Sequence, residues 1–196
     1  MILLSSCWVA YFCIHSLLAS TQVKRMVLGR YPNFRYRLAF NFLAIVLLFP
    51  SLWLLYFHPW PMLWQLRGFW AALAWLLKGA ALLGFVVSLR HYDMGEFLGL
   101  KPSGEDSLRI SFFHRHVRHP WYFLSLPILW ASDMNSGRLV TCILATAYLY
   151  IGSRHEEAML IDRFGERYLR YREKVPAIIP LPWKHLSAEE AETLVK

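Results

Sequence analysis

Three stretches of the chain stay apolar for the length of a membrane crossing. Residues Met1–Leu18 hold no charge, Leu38–Phe57 repeats that pattern, and Phe69–Leu89 is interrupted only by Lys78. A helix needs roughly 20 apolar residues to cross bilayer hydrocarbon, so each stretch predicts a span. Two shorter runs follow, Trp121–Ser132 and Leu139–Ser153. Their length predicts a tight hairpin completed by flanking polar or interfacial residues. The pattern therefore predicts an all-α integral membrane protein with five transmembrane helices, the last two a short hairpin. One membrane domain is expected over 1–196: three spans and loops in 1–107, a polar core in 108–183 and a tail in 184–196.

Punctuation between the runs refines this picture. Pro50, Pro59 and Pro61 break the end of the second span, and Trp60, Trp64 and Trp70 stand where an aromatic belt belongs. In the third span Gly79, Ala80 and Gly84 predict the close approach of a neighbouring helix. The Arg90–His119 segment is polar and contains a Gly-Leu-Lys-Pro-Ser-Gly turn at 99–104. Ser153–Arg172 predicts a helix running on from the fifth span, ended by Pro176, Pro180 and Pro182. Ser187 and Glu190 have the spacing of a capping box.

Charge fixes an expected orientation. The formal net charge of +8 is compatible with nucleic-acid binding, but its distribution argues against that partner. Five cations lie between the first two spans, five in Arg90–Pro120 and eight from Arg154 onward, against Arg67 and Arg138 alone in the other turns. Eighteen against two is the positive-inside asymmetry, with the N-terminus outside, the C-terminus cytoplasmic and the cations facing anionic membrane lipids. The first segment has no basic n-region and no clear small-x-small cleavage site, so it is expected to be retained. Cys7, Cys13 and Cys142 all fall inside apolar runs without metal-ligand spacing, as small buried residues do.

Candidate chemistry concentrates between Arg90 and Trp183. Arg118-His119-Pro120-Trp121-Tyr122 opens the fourth span, either as an interfacial helix start with Pro in the first turn or as part of a site. Arg154-His155-Glu156-Glu157 closes the fifth. It reads equally as a solvated helix with an Arg154–Glu157 pair worth ~0.2–0.5 kcal/mol, or as an anionic site for an ammonium or sulfonium ligand. Phe164, Tyr168 and Tyr171 recur at helical spacing as an aromatic stripe, a pattern that more commonly packs than lines a cofactor. His114, His116 and His119 match no zinc spacing, and Arg115 and Arg118 between them oppose a cation, so no metal is expected. Lys78, deep in the third span, marks either a functional site or a lysine satisfied within the bundle.

The order of these groups, Arg-His-Pro-x-Tyr, Arg-x-Glu-Glu, Phe-Gly-x-x-Tyr-x-x-Tyr and Val175-Pro176, resembles the isoprenylcysteine carboxyl methyltransferase family, including its bacterial members. The likeness is strongest over Leu108–Pro180. It extends more loosely to His15-Ser16-Leu17-Leu18-Ala19-Ser20 and Glu96-Phe97-Leu98-Gly99-Leu100. The resemblance implies S-adenosylmethionine held in a cytoplasmic C-terminal helical region, a bacterial inner-membrane location, and a lipophilic or small membrane-soluble acceptor arriving from the bilayer. The acceptor is an isoprenylcysteine carboxylate, a thiol or a lipid. By carry-over, Glu156 or Glu157 faces the cofactor ammonium, Arg154 or His119 lies near its carboxylate, Tyr122 and the backbone around His116 and Val117 border the adenosine, and Pro120 is also expected among the cofactor-binding residues. Arg154 and Glu157 are the expected catalytic pair. The family usually has Gly where this chain has Leu124, and small or aromatic residues around Phe112, His114 and His116. Those departures predict a narrower pocket or a shifted hairpin. They also keep open a non-catalytic lipid- or partner-binding protein on the same scaffold.

Overall fold

The computed structural model describes residues 1–101 and 108–195. Pro102, Ser103 and Gly104 of the expected 99–104 turn lie outside the described residues. The chain is mostly helical, and three of its helices are long and apolar enough to cross a membrane. They are α1 (Ile2–Ala19), α3 (Tyr36–Phe57) and α4 (Phe69–Leu89), matching the first three apolar runs. Internal contacts divide the structure into two units, each assembled from separated stretches of chain.

The first unit comprises Met1–Gln65, residues 92–101 and Asp133–Ala145. Helix α1 ends at Ser20, whose hydroxyl accepts a hydrogen bond from Val23 N (3.3 Å) and so starts α2 (Thr21–Arg30). This helix lies within a loop expected only to be basic. Helices α1 and α3 pack through Leu4, Trp8 and Leu55, and Pro50 is accommodated inside α3. The Trp8 indole donates to the Thr141 hydroxyl at 2.9 Å. A short antiparallel pair follows, β1 (Met62–Trp64) with β2 (Met134–Asn135). Trp64 and Trp70 are exposed as a belt requires, but Trp60 is drawn inward. Its indole donates to Leu54 O (3.0 Å), and its ring lies so close to Gly137 that a Cβ there would sit 2.6 Å away. Helix α5 (Met94–Leu98) is capped by Asp93 and ends at Gly99, where φ is +80°.

The second unit comprises Leu66–His91, residues 108–132 and 146–195. Here α4 packs on α6 (Pro120–Trp130) through Ala74, Ala81, Gly84 and Ser88. The small-residue face is thus rotated from the expected one, because Gly79 and Ala80 are exposed. Leu124 fills the notch at Gly84, where an added Cβ would come within 2.8 Å of its Cδ2. Trp121 Nε1 donates to Ser88 Oγ at 2.8 Å. Lys78 is satisfied within the bundle: its ammonium donates to Ser132 Oγ (3.3 Å) and lies 3.9 Å from the Trp75 ring centroid.

Helix α6 has 11 residues, so at ~1.5 Å per residue it reaches only about half the hydrocarbon thickness. Helix α7 (Ser136–Phe164) has 29 residues. The helix expected through Arg172 instead breaks at Gly165, whose φ of +56° suits a residue without a Cβ, and restarts as α8 (Glu166–Lys174). Tyr168 and Tyr171 of α8 are buried with Leu108, Val175 and Leu186, so the aromatic stripe packs. The predicted capping box forms at α9 (Ala188–Val195): Glu190 N donates to Ser187 Oγ at 3.1 Å, and Ser187 N donates to Glu190 Oε2 at 2.9 Å.

Candidate active site

The site grows from the residue before a proline. Pro120 occupies the first turn of α6, where its missing N–H leaves no bond unmade, and it bars His119 from helical backbone angles. The non-helical backbone there pairs outward instead. Arg118 N donates to Pro176 O and His119 N to Ala177 O, each at 2.9 Å. Pro176-Ala177 is therefore the strap on which Arg118-His119 is hung, and Val175 just before it is fully buried.

Arg118 joins three elements. Its Nε and Nη2 both donate to Glu157 Oε1 of α7, at 2.8 and 2.6 Å. Its Nη1 donates to the carbonyls of Arg172 (2.9 Å) and Val175 at the end of α8. The guanidinium thus neutralises a carboxylate and caps the C-terminal carbonyls of a helix, where a cation is favoured. Both side chains are nearly inaccessible, at 7% for Arg118 and 3% for Glu157. Two charges removed from water this fully persist only when paired and hydrogen-bonded.

His119 spans the two adjacent carboxylates. Its Nε2 is 3.2 Å from Glu157 Oε1 and its Nδ1 3.4 Å from Glu156 Oε2. The Tyr122 hydroxyl donates to the same Glu156 Oε2 at 3.2 Å, and its ring stacks on His119 with centroids 5.2 Å apart. Neighbouring positions on a helix point about 100° apart, so Glu157 turns into the interior while the Glu156 side chain stays 46% exposed.

Charge states follow from this packing. Burial alone would lower the His119 pKa, but hydrogen bonds and charges from Glu156 and Glu157 outweigh it and raise the value. Burial likewise pushes Glu157 upward, and the bonds from His119 and Arg118 overcome that, bringing it down to about 2. Glu156 is lowered as well, its burial offset chiefly by His119. His114, buried and facing the His119 charge, falls to about 4 despite the attraction of Glu156. The raised value favours the imidazolium form of His119 between the two carboxylates, with the Arg118 guanidinium on the inner one.

Of the residues expected from the sequence, the structure brings His119, Tyr122, Glu156 and Glu157 together. Arg154 reaches the edge of the cluster, its Nη1 3.8 Å from Glu157 Oε2, and is otherwise solvent-facing. Pro120 acts through the backbone, and Val117 is buried beside it. His116 turns elsewhere, stacking on His185 with centroids 5.9 Å apart and standing edge-on to Phe112. Leu124 does not narrow the cluster, because it is committed to the notch at Gly84. Two residues missed as site members are Arg118 and Tyr168. Both stood inside the quoted motifs, but only the fold shows Tyr168 beside the Arg118–Glu157 pair.

Two buried atoms of this cluster, Glu157 Oε2 and the Tyr168 hydroxyl, have no hydrogen-bond partner. Buried polar atoms are rarely left so. Glu157 Oε2 can only accept, whereas the Tyr168 hydroxyl can donate or accept, so a ligand that carries hydrogen-bond donors, as the ammonium and amino groups of S-adenosylmethionine do, fits the carboxylate oxygen.

No protein-family model matches the chain, and no solved structure does. Curated relatives do. The chain is 31% identical over 180 residues to methanethiol S-methyltransferase 2 of Bradyrhizobium diazoefficiens, covering 85% of this chain and 68% of that protein. The chain belongs to the methanethiol S-methyltransferase family. Within that family it is also 33% identical over 125 residues to an enzyme of a Pseudomonas species, covering 58% of this chain and 46% of that protein. Nurim of Xenopus laevis is 30% identical over 195 residues, covering 84% of this chain and 65% of that protein. The chain therefore spans between about half and two thirds of the length of these relatives. Both groups of relatives are members of the membrane methyltransferase superfamily that includes the isoprenylcysteine carboxyl methyltransferases. The family reading of the motifs thus holds at that level, with thiol methyltransferases as relatives.

Proposed function

We propose that this protein is an integral membrane S-adenosylmethionine-dependent methyltransferase acting on a small thiol: methanethiol sulfur takes the methyl group from the sulfonium and loses its proton to solvent, giving dimethyl sulfide and leaving S-adenosylhomocysteine. The observation that carries the reading is the Arg118–Glu157–His119–Glu156–Tyr122 network, buried at Arg118, Glu157 and His119, beside which Glu157 Oε2 and the Tyr168 hydroxyl have no hydrogen-bond partner, in a chain whose relatives are methanethiol S-methyltransferases. S-adenosylmethionine supplies a methyl group on a sulfonium, which needs no metal and no covalent enzyme intermediate for its transfer. The protein's part is orientation and exclusion of water.

Glu156 receives the cofactor ammonium, since it is half exposed and both its contacts fall on Oε2. Arg154, solvent-facing at the rim, receives the carboxylate. Glu157 keeps its charge against Arg118, leaves its Oε2 on the Arg154 side of the cluster and holds His119 between the carboxylates. His116 and Val117 border the adenosine through their backbone. The five-span topology with an outside N-terminus belongs to this proposal, because it puts the site on the side where the cofactor is made. In that topology α6 and the apolar part of α7 form the final hairpin.

A second reading, a non-catalytic lipid- or partner-binding protein, draws on the structural employment of Arg118 and Glu157, which strap α7 to the end of α8 whether or not a cofactor binds. The test is to supply methyl-labelled S-adenosylmethionine and methanethiol to membranes containing the protein and measure labelled dimethyl sulfide in the headspace. Production that falls at least about 100-fold in Glu156→Gln is expected, in the range of removing a positioned catalytic group. Undetectable cofactor binding together with no labelled volatile or lipid-phase product rejects the enzyme reading. Label appearing in the lipid phase alone transfers the assignment to a lipid acceptor.

A further inference from the structure

The first unit contains a cavity of about 520 Å³ that the methyl-transfer site does not use. It lies where α1 ends, α2 turns away and α3 begins, and residues 99–101 close its far side. Lys24, Arg35, Arg37 and Lys101 all line it, together with apolar side chains including Phe34 and Phe40. Among the described residues no carboxylate lines it; Asp93, paired with Lys101 at 3.2 Å, stands outside the lining. Among the described residues neither Lys24 nor Arg35 has an anionic partner.

The wall is built rather than incidental. Asn41 Nδ2 donates to the carbonyls of Phe97 and Leu98, each at 3.3 Å, and so ties the end of α5 to α3. Gly99 then comes so close to the start of α3 that a Cβ would lie 2.7 Å from Leu38 N and 2.8 Å from Arg37 Cβ. Its φ of +80° turns Leu100 and Lys101 over the opening. Arg37 lies over the Phe97 ring, 5.9 Å from its centroid. Four cationic residues thus line one concavity that also offers an apolar wall, at the ends of two membrane-length helices, with the Lys101 ammonium already engaged by Asp93. The positive-inside pattern asks only that cations be on one side of the bilayer; it does not ask them to converge on a cavity.

We infer that this cavity is a binding site for the phosphate headgroup of an anionic phospholipid, its glycerol and upper acyl chains lying against Phe34 and Phe40. Phosphate is the shared chemistry of a lipid headgroup and a free anion, and lysine and arginine both bind it. The apolar wall and the place at the ends of α1 and α3 select the lipid. The inference is independent of methyl transfer.

The test uses the full chain in nanodiscs of equal phosphatidylglycerol and phosphatidylcholine, extracted into mild detergent and weighed by native mass spectrometry. One phosphatidylglycerol is expected to remain bound in clear preference to phosphatidylcholine. In Lys24→Gln/Arg35→Gln/Arg37→Gln the preference should fall by about five-fold for each cation removed. In the control Arg167→Gln/Arg170→Gln, which removes exposed cations elsewhere, it should be unchanged. If the triple variant does not fold, Lys24→Gln alone, at an exposed position, should still lose about five-fold, and Arg35→Lys/Arg37→Lys should keep the preference. Retention of the preference in the cavity variants, or equal loss in the control, overturns the site. Displacement of the retained lipid by excess inorganic phosphate, with phosphate bound in its place, overturns the lipid assignment in favour of a free anion.

Discussion

Removing Arg118 is the sharpest perturbation available, because its consequence follows from burial. In Arg118→Ala the Glu157 carboxylate, 3% exposed, loses its counter-charge, and the carbonyls of Arg172 and Val175 lose their donor. Truncating one partner of a buried ion pair costs about 3–5 kcal/mol, since the remaining charge is stranded. For a chain of this length each kcal/mol is worth about 2–4 °C, so the unfolding midpoint should drop by roughly 6–20 °C. Arg118→Met/Glu157→Met removes both charges, strands the two carbonyls at ~1–3 kcal/mol each before any relaxation, and leaves His119 with Glu156 as its remaining carboxylate partner. The double variant should therefore be no worse than Arg118→Ala. Thermal unfolding of the purified protein in micelles, followed by circular dichroism, gives the double-mutant cycle, with a coupling energy of at least about 1 kcal/mol expected. The pH dependence adds a second check. Glu157 has a folded value of about 2, depressed from 4.5, so its contribution is present above 4.5 and lost as pH falls toward 2. The gap between native and Arg118→Ala protein should narrow over that window. A single variant within ~0.5 kcal/mol of native, typical of a surface change, or a double variant as damaging as the two single changes added together, would refute the reasoning.

Further outcomes follow from the same geometry. Binding of S-adenosylmethionine, followed by calorimetry, should be level from pH 6 down to about 5, because Glu156 lies below its ordinary 4.5; a loss with a midpoint between 5 and 6 would contradict this. Gly84→Leu should overpack the α4–α6 contact at ~1–3 kcal/mol or more, and Leu124→Gly added to it should restore part of the loss in a melting assay. Ser187→Ala should cost ~1 kcal/mol by deleting a helix cap, read as faster hydrogen exchange in α9 with the rest of the chain unchanged. Lys78→Met should leave methyl transfer intact, since its partners are a hydroxyl and a ring within the bundle; abolished activity in a folded variant would mark the lysine as functional.

Much of the architecture was legible from the chain because the bilayer imposes a length. Apolar runs near 20 residues read directly as α1, α3 and α4, and the capping box at Ser187 and Glu190 needed only local spacing. Elements set by contact between distant residues were misread or missed. The small-residue face of α4 depends on which side Leu124 approaches, and Trp60 is drawn from the aromatic belt by Gly137, far along the chain. The break at Gly165 was hidden because its neighbours continue a helical period.

For the candidate site the division is similar. The sequence alone determined that a His-Pro helix start, an acidic pair and a Tyr-rich helix occur together in one order, since these are matters of local spacing. It could not assign unequal roles to Glu156 and Glu157, which differ by one position. Only the tertiary structure decided that one carboxylate is buried against Arg118 and the other half exposed, because the Pro176–Ala177 strap brings Arg118 and His119 to α7 from nearly forty residues away. Burial and pairing, which separate a structural charge from an available one, exist only once those segments meet.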